Sequence, residues 1–157
     1  MDPINPQHFN DALIVLLDET FDNVQGFYLD RGTSLFETLN GISADEASIA
    51  VGGKCATLAA QVKHVAFYLQ VVEYSMRDPE YPSVDWGEIW RTVNSVTPEE
   101  WEDIKEELRT NYRQVVKLIE NTSSWPDQIE IASFIAVIAH TAYHLGEIRQ
   151  ALCTLKA

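Results

Sequence analysis

Two histidines four residues apart, His140 and His144 in His140-Thr141-Ala142-Tyr143-His144, stand inside the most apolar stretch of this chain, and a third, His64, lies midway along the other long apolar segment. On a helix, residues i and i+4 sit one above the other on a single face, so both imidazoles can reach one point. A divalent metal ion is the chemistry this spacing suggests. A histidine in an apolar helix is more often a hydrogen-bonded core residue than a ligand. Here, however, three of the four histidines fall inside apolar helical patterns, and every buried imidazole needs both ring nitrogens satisfied. Ligation on one nitrogen, with an acceptor for the other, meets that demand for all three.

Helical phase places them together. At three-four spacing the last apolar stretch runs Ser133, Val137, His140, His144, Ile148, Ala151, and the earlier one runs Thr57, Ala60, His64, Phe67 or Tyr68, Val71. Both stripes are otherwise apolar, so His64, His140 and His144 are expected to point inward from two packed helices. Three neutral imidazoles leave at least one coordination position open, as in catalytic rather than closed structural zinc sites. The ligand set suits zinc or nickel, and iron less well. There is no HExxH, since Thr141 occupies the position of a metalloprotease base, and no Glu-x-x-His, since Gln61, Val137 and Thr141 stand three before the histidines. Zincins and carboxylate-bridged di-iron proteins are thereby excluded.

The elements that must position these residues read as all-α. A first helical pattern covers about Gln7 to Phe21, stops near Asn23 to Gly32 and resumes from Thr33 to Asn40, with Gly41 as its end. Ser43-Ala44-Asp45-Glu46 has capping-box spacing, and after Gly52-Gly53 a long helix is expected from about Lys54 to Met76, carrying His64. Asp78 to Ser95, with Pro79, Pro82, Trp86 and Trp90, reads as an irregular crossover whose tryptophans plug one end of the fold. Thr97-Pro98-Glu99-Glu100 opens a helix to about Glu120, and Asp127-Gln128-Ile129-Glu130 opens the last one, to about Leu155. Four main helices with short connections predict a four-helix bundle, one domain over residues 1–157.

Composition narrows the partners. The 157 residues suffice for a core without a structural metal. With 11 basic against 24 acidic side chains and a net charge of −13, no nucleic acid or anionic membrane partner is expected. No run of about 18 apolar residues appears, and Met1-Asp2-Pro3-Ile4-Asn5-Pro6 lacks the features of a signal peptide. The expectation is a cytoplasmic protein acting on a small-molecule substrate, with Cys55 and Cys153 as buried thiols. Ile131, Ile135 and Ile138 lie around the last helix beside the histidine stripe, more apolar surface than one bundle buries, which predicts a homodimer.

The segment from Ala59 to Leu69 around His64, followed by His140-Thr141-Ala142-Tyr143-His144-Leu145-Gly146-Glu147-Ile148-Arg149-Gln150, resembles the DinB/YfiT-like metal-binding four-helix bundle superfamily. Leu35 to Leu39 and Asp85-Trp86 share that character, so the resemblance spans nearly the whole chain. It implies a down-up-up-down bundle, a divalent metal on His64, His140 and His144, and frequent homodimers. Members of known activity include thiol S-transferases that use low-molecular-weight thiols and a mycothiol-dependent maleylpyruvate isomerase. Glu147 departs from the glutamine often found there. It is the one catalytic candidate: a carboxylate one turn past His144 can orient a metal-bound water or serve as a fourth ligand, or it is a surface charge, which is the reading favoured here.

Other residues have plainer readings. Tyr68 and Tyr143 can donate to a bound substrate, though core packing is the simpler role. Trp86 and Trp90 either wall a pocket or anchor the crossover. His8 reads as a surface residue, Cys153 points partly away from the histidines, and Asp18, Glu19 and Asp22 read as a solvated acidic face. The expected function is therefore a metal-dependent enzyme that activates a thiol or water nucleophile, thiol S-transferase-like. The alternative is a noncatalytic ligand-binding or stress-response bundle with a structural or vestigial metal.

Overall fold

A computed structural model describes residues 4–50, 55–78 and 80–155. Seven helices form among them: α1 (Pro6–Phe21), α2 (Leu35–Leu39), α3 (Ala44–Ala47), α4 (Leu58–Arg77), α5 (Glu88–Thr92), α6 (Pro98–Glu120) and α7 (Gln128–Leu155). The only β feature among the described residues is a lone bridge between Ala50 and Thr57. The fold is all-α.

Every helix except α5 starts where a short polar side chain takes an otherwise unpaired backbone N–H. Asn5 accepts from Gln7 before Pro6 opens α1. Ser34 with Glu37, Ser43 with Glu46 and Thr97 with Glu100 each close a reciprocal capping box. Asp127 Oδ1 accepts from the N–H groups of Ile129 and Glu130 at the head of α7. The helix bearing His64 begins at Leu58 rather than near Lys54, because the Thr57 side chain accepts from the Ala60 N–H and fixes the start there. Gly52, Gly53, Lys54 and Pro79 lie outside the described residues.

The four long helices pack so that α4 and α1 each lie against both α6 and α7. Their buried faces follow helical spacing, as in Trp101, Ile104, Leu108, Val115 and Ile119 of α6. Polar side chains lock the packing at defined points. Asn10, buried on α1, donates to the carbonyls of Ile119 and Thr122 at 3.0 and 2.7 Å and accepts from Trp125 Nε1 at 2.9 Å. Asn111 of α6 donates to the Ala66 carbonyl on α4 at 2.9 Å. Trp101 is buried, and its indole N–H donates to the Ile42 carbonyl at 2.8 Å. Phe21 stacks on Tyr112 with centroids 4.6 Å apart.

Three sequence expectations are corrected. Cys55 and Cys153 are exposed, not buried: Cys55 precedes the Thr57 cap, and Cys153 falls on the outer side of α7. The crossover is not wholly irregular, since Glu88–Thr92 form α5 and bury Ile89. Glu19 does not belong to a solvated acidic face. It is fully buried, and its carboxylate accepts from the backbone N–H groups of Phe27, Tyr28 and Leu29 at 2.9, 2.6 and 2.7 Å.

Burial alone pushes the Glu19 carboxyl pKa up, but the N–H donors of Tyr28, Leu29, Phe27 and Gln25 outweigh it and hold the pKa below the ordinary carboxylate value. A depressed folded-state pKa means that the carboxylate stabilises the fold above the unfolded value and that this contribution fades as pH falls toward the folded one. Glu19→Gln is therefore expected to cost about 2 kcal/mol at neutral pH, since it weakens charge-assisted hydrogen bonds. The gap in melting temperature should close as pH drops below the ordinary glutamate range. Calorimetric melts of both proteins across that range check it, and a gap that widened in acid would contradict it.

Candidate metal centre

Of the three histidines singled out by spacing, α4 supplies His64 and α7 supplies His140 and His144, from faces that meet where these two helices pack. His64 and His144 are buried and His140 is partly buried. One ligand atom from each lies within 4.8 Å of those of the other two. His64 Nε2 and His140 Nε2 face one another at 3.2 Å. Two nitrogens bound to zinc at 2.0–2.1 Å with a tetrahedral angle between them lie about 3.3 Å apart, so this pair already has the separation of two ligands. The fold brings the predicted residues together.

The donor atoms are in the protonation state a metal needs. Burial, with a smaller contribution from His144, brings His64 to about 4. Burial, with His144 and His64 beside it, brings His140 to about 4. Burial also lowers His144, against the opposing pull of Glu147. All three rings are neutral at pH 7. The Nδ1 atoms of all three are buried and make no well-formed hydrogen bond. His144 Nδ1 does stand 2.9 Å from Glu147 Oε2, an ion-pair distance at which the carboxylate lies off the ring's N–H axis. Buried imidazoles with so few protein partners fit a ligand set, whose remaining bonds come from the metal.

Glu147 is thus not the free surface charge favoured from sequence. Its carboxylate is partly covered and sits between the His144 ring and the Tyr143 hydroxyl, whose pKa it raises by hydrogen bonding and charge. Tyr143 departs from the packing expected of it, at 62% exposed, with its ring edge-on to His144. Tyr68 lies flat on His140, centroids 3.9 Å apart.

Sequence reasoning undervalued the crossover. Trp86 and Trp90 do not plug the fold; they are 42% and 37% exposed and stand beside the histidines. Trp90 lies 4.5 Å from His64 and 6.2 Å from His144, ring to ring, and Trp86 lies 6.3 Å from His64. Trp90 stands on α5 and Trp86 in the turn just before it, and their four-residue spacing was the available signal. His8 is exposed, as expected. Comparison with protein-family models, curated proteins and solved structures returns no match.

A cluster built around unsatisfied nitrogens should not stabilise the metal-free chain. His144→Leu removes a buried polar ring at little cost in volume, so the metal-free variant is expected to melt at or above the wild-type temperature. A fall of more than roughly 4 °C, about 1 kcal/mol for a chain of this size, would show instead that the imidazole supports the core.

Proposed function

We propose that this protein is a metal-dependent enzyme of the DinB/YfiT-like type, a down-up-up-down four-helix bundle in which His64, His140 and His144 hold one divalent ion, zinc or nickel. The convergence of three neutral imidazoles within 4.8 Å from two helices carries the proposal. The pairwise packing of α1 and α4 on α6 and α7 supports the bundle. When bound, such an ion lowers the pKa of a water or thiol and so supplies a nucleophile for attack on an electrophilic small molecule.

The chain's own residues set the conditions for that chemistry. Two ligands from successive turns of one helix hold a fixed separation, and His64 closes the set only while α4 stays seated on α7. Glu147, 2.9 Å from His144 Nδ1, can take up that N–H with a small turn of the ring and has a partly exposed carboxylate to receive a proton. Tyr68 and Trp90 cover the flanks of His140 and His64 and limit access of bulk water. Thiol transfer, with a low-molecular-weight thiol as co-substrate, is the reaction class the resemblance favours.

Metal analysis tests this directly. Zinc is expected to bind at one ion per chain and, at a thousandfold excess over its dissociation constant, to stabilise the fold by about 4 kcal/mol. His64→Ala, His140→Ala or His144→Ala should each abolish that stabilisation while the metal-free fold survives. Glu147→Gln should weaken zinc binding by about tenfold to a hundredfold, the scale of losing a partner behind a ligand. Unchanged affinity would return Glu147 to a surface role.

We further propose a homodimer formed through α7. This helix is long and apolar enough to cross a membrane by length and composition, yet only 28% of its apolar window is buried. Ile129 and Ile135 are exposed on it. Helix faces of this kind are covered in stable proteins, and a second copy offers the complementary surface. Sedimentation equilibrium is expected to give twice the chain mass at micromolar concentration, and Ile135→Glu should yield monomers.

A further inference from the structure

The four tryptophans divide into two kinds. Trp101 and Trp125 donate their indole N–H groups to the Ile42 carbonyl and to Asn10 Oδ1, at 2.8 and 2.9 Å, as structural tryptophans do. Trp86 and Trp90 make no such hydrogen bond among the described residues and keep about two fifths of their surface in solvent. They are not what anchors the crossover. Ile89 is the buried residue of α5, and Asp85 braces the turn by accepting from the Gly87 N–H at 2.8 Å and pairing with Arg91.

What these two rings touch is the histidine cluster. Trp90 leans on His64, and Trp86 packs edge-on to Phe67 at 5.5 Å and lies 5.9 Å from Tyr68, which itself stacks on His140. Flat apolar faces thus border the site beside two of its three imidazoles. The cations nearest in sequence are engaged elsewhere, Lys63 by Glu107 and Arg91 by Asp85. Neither of these two cations is left free for a phosphate or polycarboxylate, and the Glu147 carboxylate at the edge of the site opposes such a ligand.

We infer that the site takes a planar aromatic or heteroaromatic small molecule, its metal-binding head group at the histidines and its ring against Trp86 and Trp90. This rests on the metal-centre reading and names the substrate class for it. Two apolar faces left partly in water lose that exposure when a ring covers them, and stacked rings gain further through their quadrupoles. A small aliphatic ligand with the same head group covers little of either face and lacks the ring contact altogether.

The test uses the zinc-loaded protein and two probes that share a head group, benzohydroxamate and acetohydroxamate, titrated by calorimetry. Benzohydroxamate should bind at least about tenfold more tightly and quench tryptophan emission, as expected for a ring contact of ordinary strength. In a Trp86→Leu, Trp90→Leu protein that still binds zinc, the preference should fall below about threefold, with acetohydroxamate affinity unchanged. Equal affinities in the wild type, or a preference that survives both substitutions, overturn the inference while leaving the metal centre standing. The wild-type comparison decides even if the double variant fails to fold. Failure of the wild type to bind zinc overturns both.

Discussion

Three imidazoles share the space where α4 meets α7, and the Nδ1 atom of each is sealed from water. That is the constraint around which the molecule is arranged. A dry helix pair would normally be filled with leucine and valine, as it is nearby, where Val62, Val65, Ala66, Leu69, Val137, Leu145 and Ile148 are all buried. The histidines interrupt this packing with polar atoms whose burial is costly unless something binds them. The chain holds them in place regardless, because α4 is fixed independently by Asn111 reaching its backbone from α6 and by the Thr57 cap at its start. Stability is thus supplied around the cluster rather than by it.

The same logic explains the distribution of charge. An acidic chain could be expected to hold buried histidines protonated, yet the carboxylate beside the cluster, Glu147, stands at its edge and is only partly covered. Desolvation therefore prevails for His64 and His140, and the rings stay neutral. Neutral imidazoles this close, with His64 Nε2 and His140 Nε2 3.2 Å apart, can share a proton between them in the metal-free chain or turn both lone pairs to a divalent ion.

How much of this could be read from the sequence depended on whether a signal was local. The capping boxes at Ser43 and Thr97, the Asp127 cap, the phase of His64 against its own helix and the i, i+4 pair on α7 are local, and the structure places them as read, whereas the Thr57 cap was passed over for a start near Lys54. Glu19 was misread because its partners are backbone amides eight to ten residues away in a segment with no periodic pattern. Nothing in Asp18, Glu19 and Asp22 tells which carboxylate turns inward. For Trp86 and Trp90 the sequence left a pocket wall and a buried anchor open, because a large aromatic residue in a crossover is burial-prone on average, and only the assembled helices reveal that Ile89 takes the buried position. The cysteines read as buried because both lie in helical patterns, but Cys55 precedes its helix and Cys153 faces outward near the end of α7.

The Glu19 carboxylate has one more consequence, for the timescale on which the chain between α1 and α2 moves. Loops that leave a helix commonly open on their own, well before the body of the protein does. Here the amides of Phe27, Tyr28 and Leu29 close on a charge rooted in α1 and sealed from solvent. Peeling the loop away breaks all three of these charge-assisted hydrogen bonds together, which ties opening of the loop to opening of the end of the helix. The amides of this irregular connection should then exchange on the timescale of the helix it leaves, and the same clamp holds Tyr28 and Leu29 where they line a groove with Leu145 and Arg149.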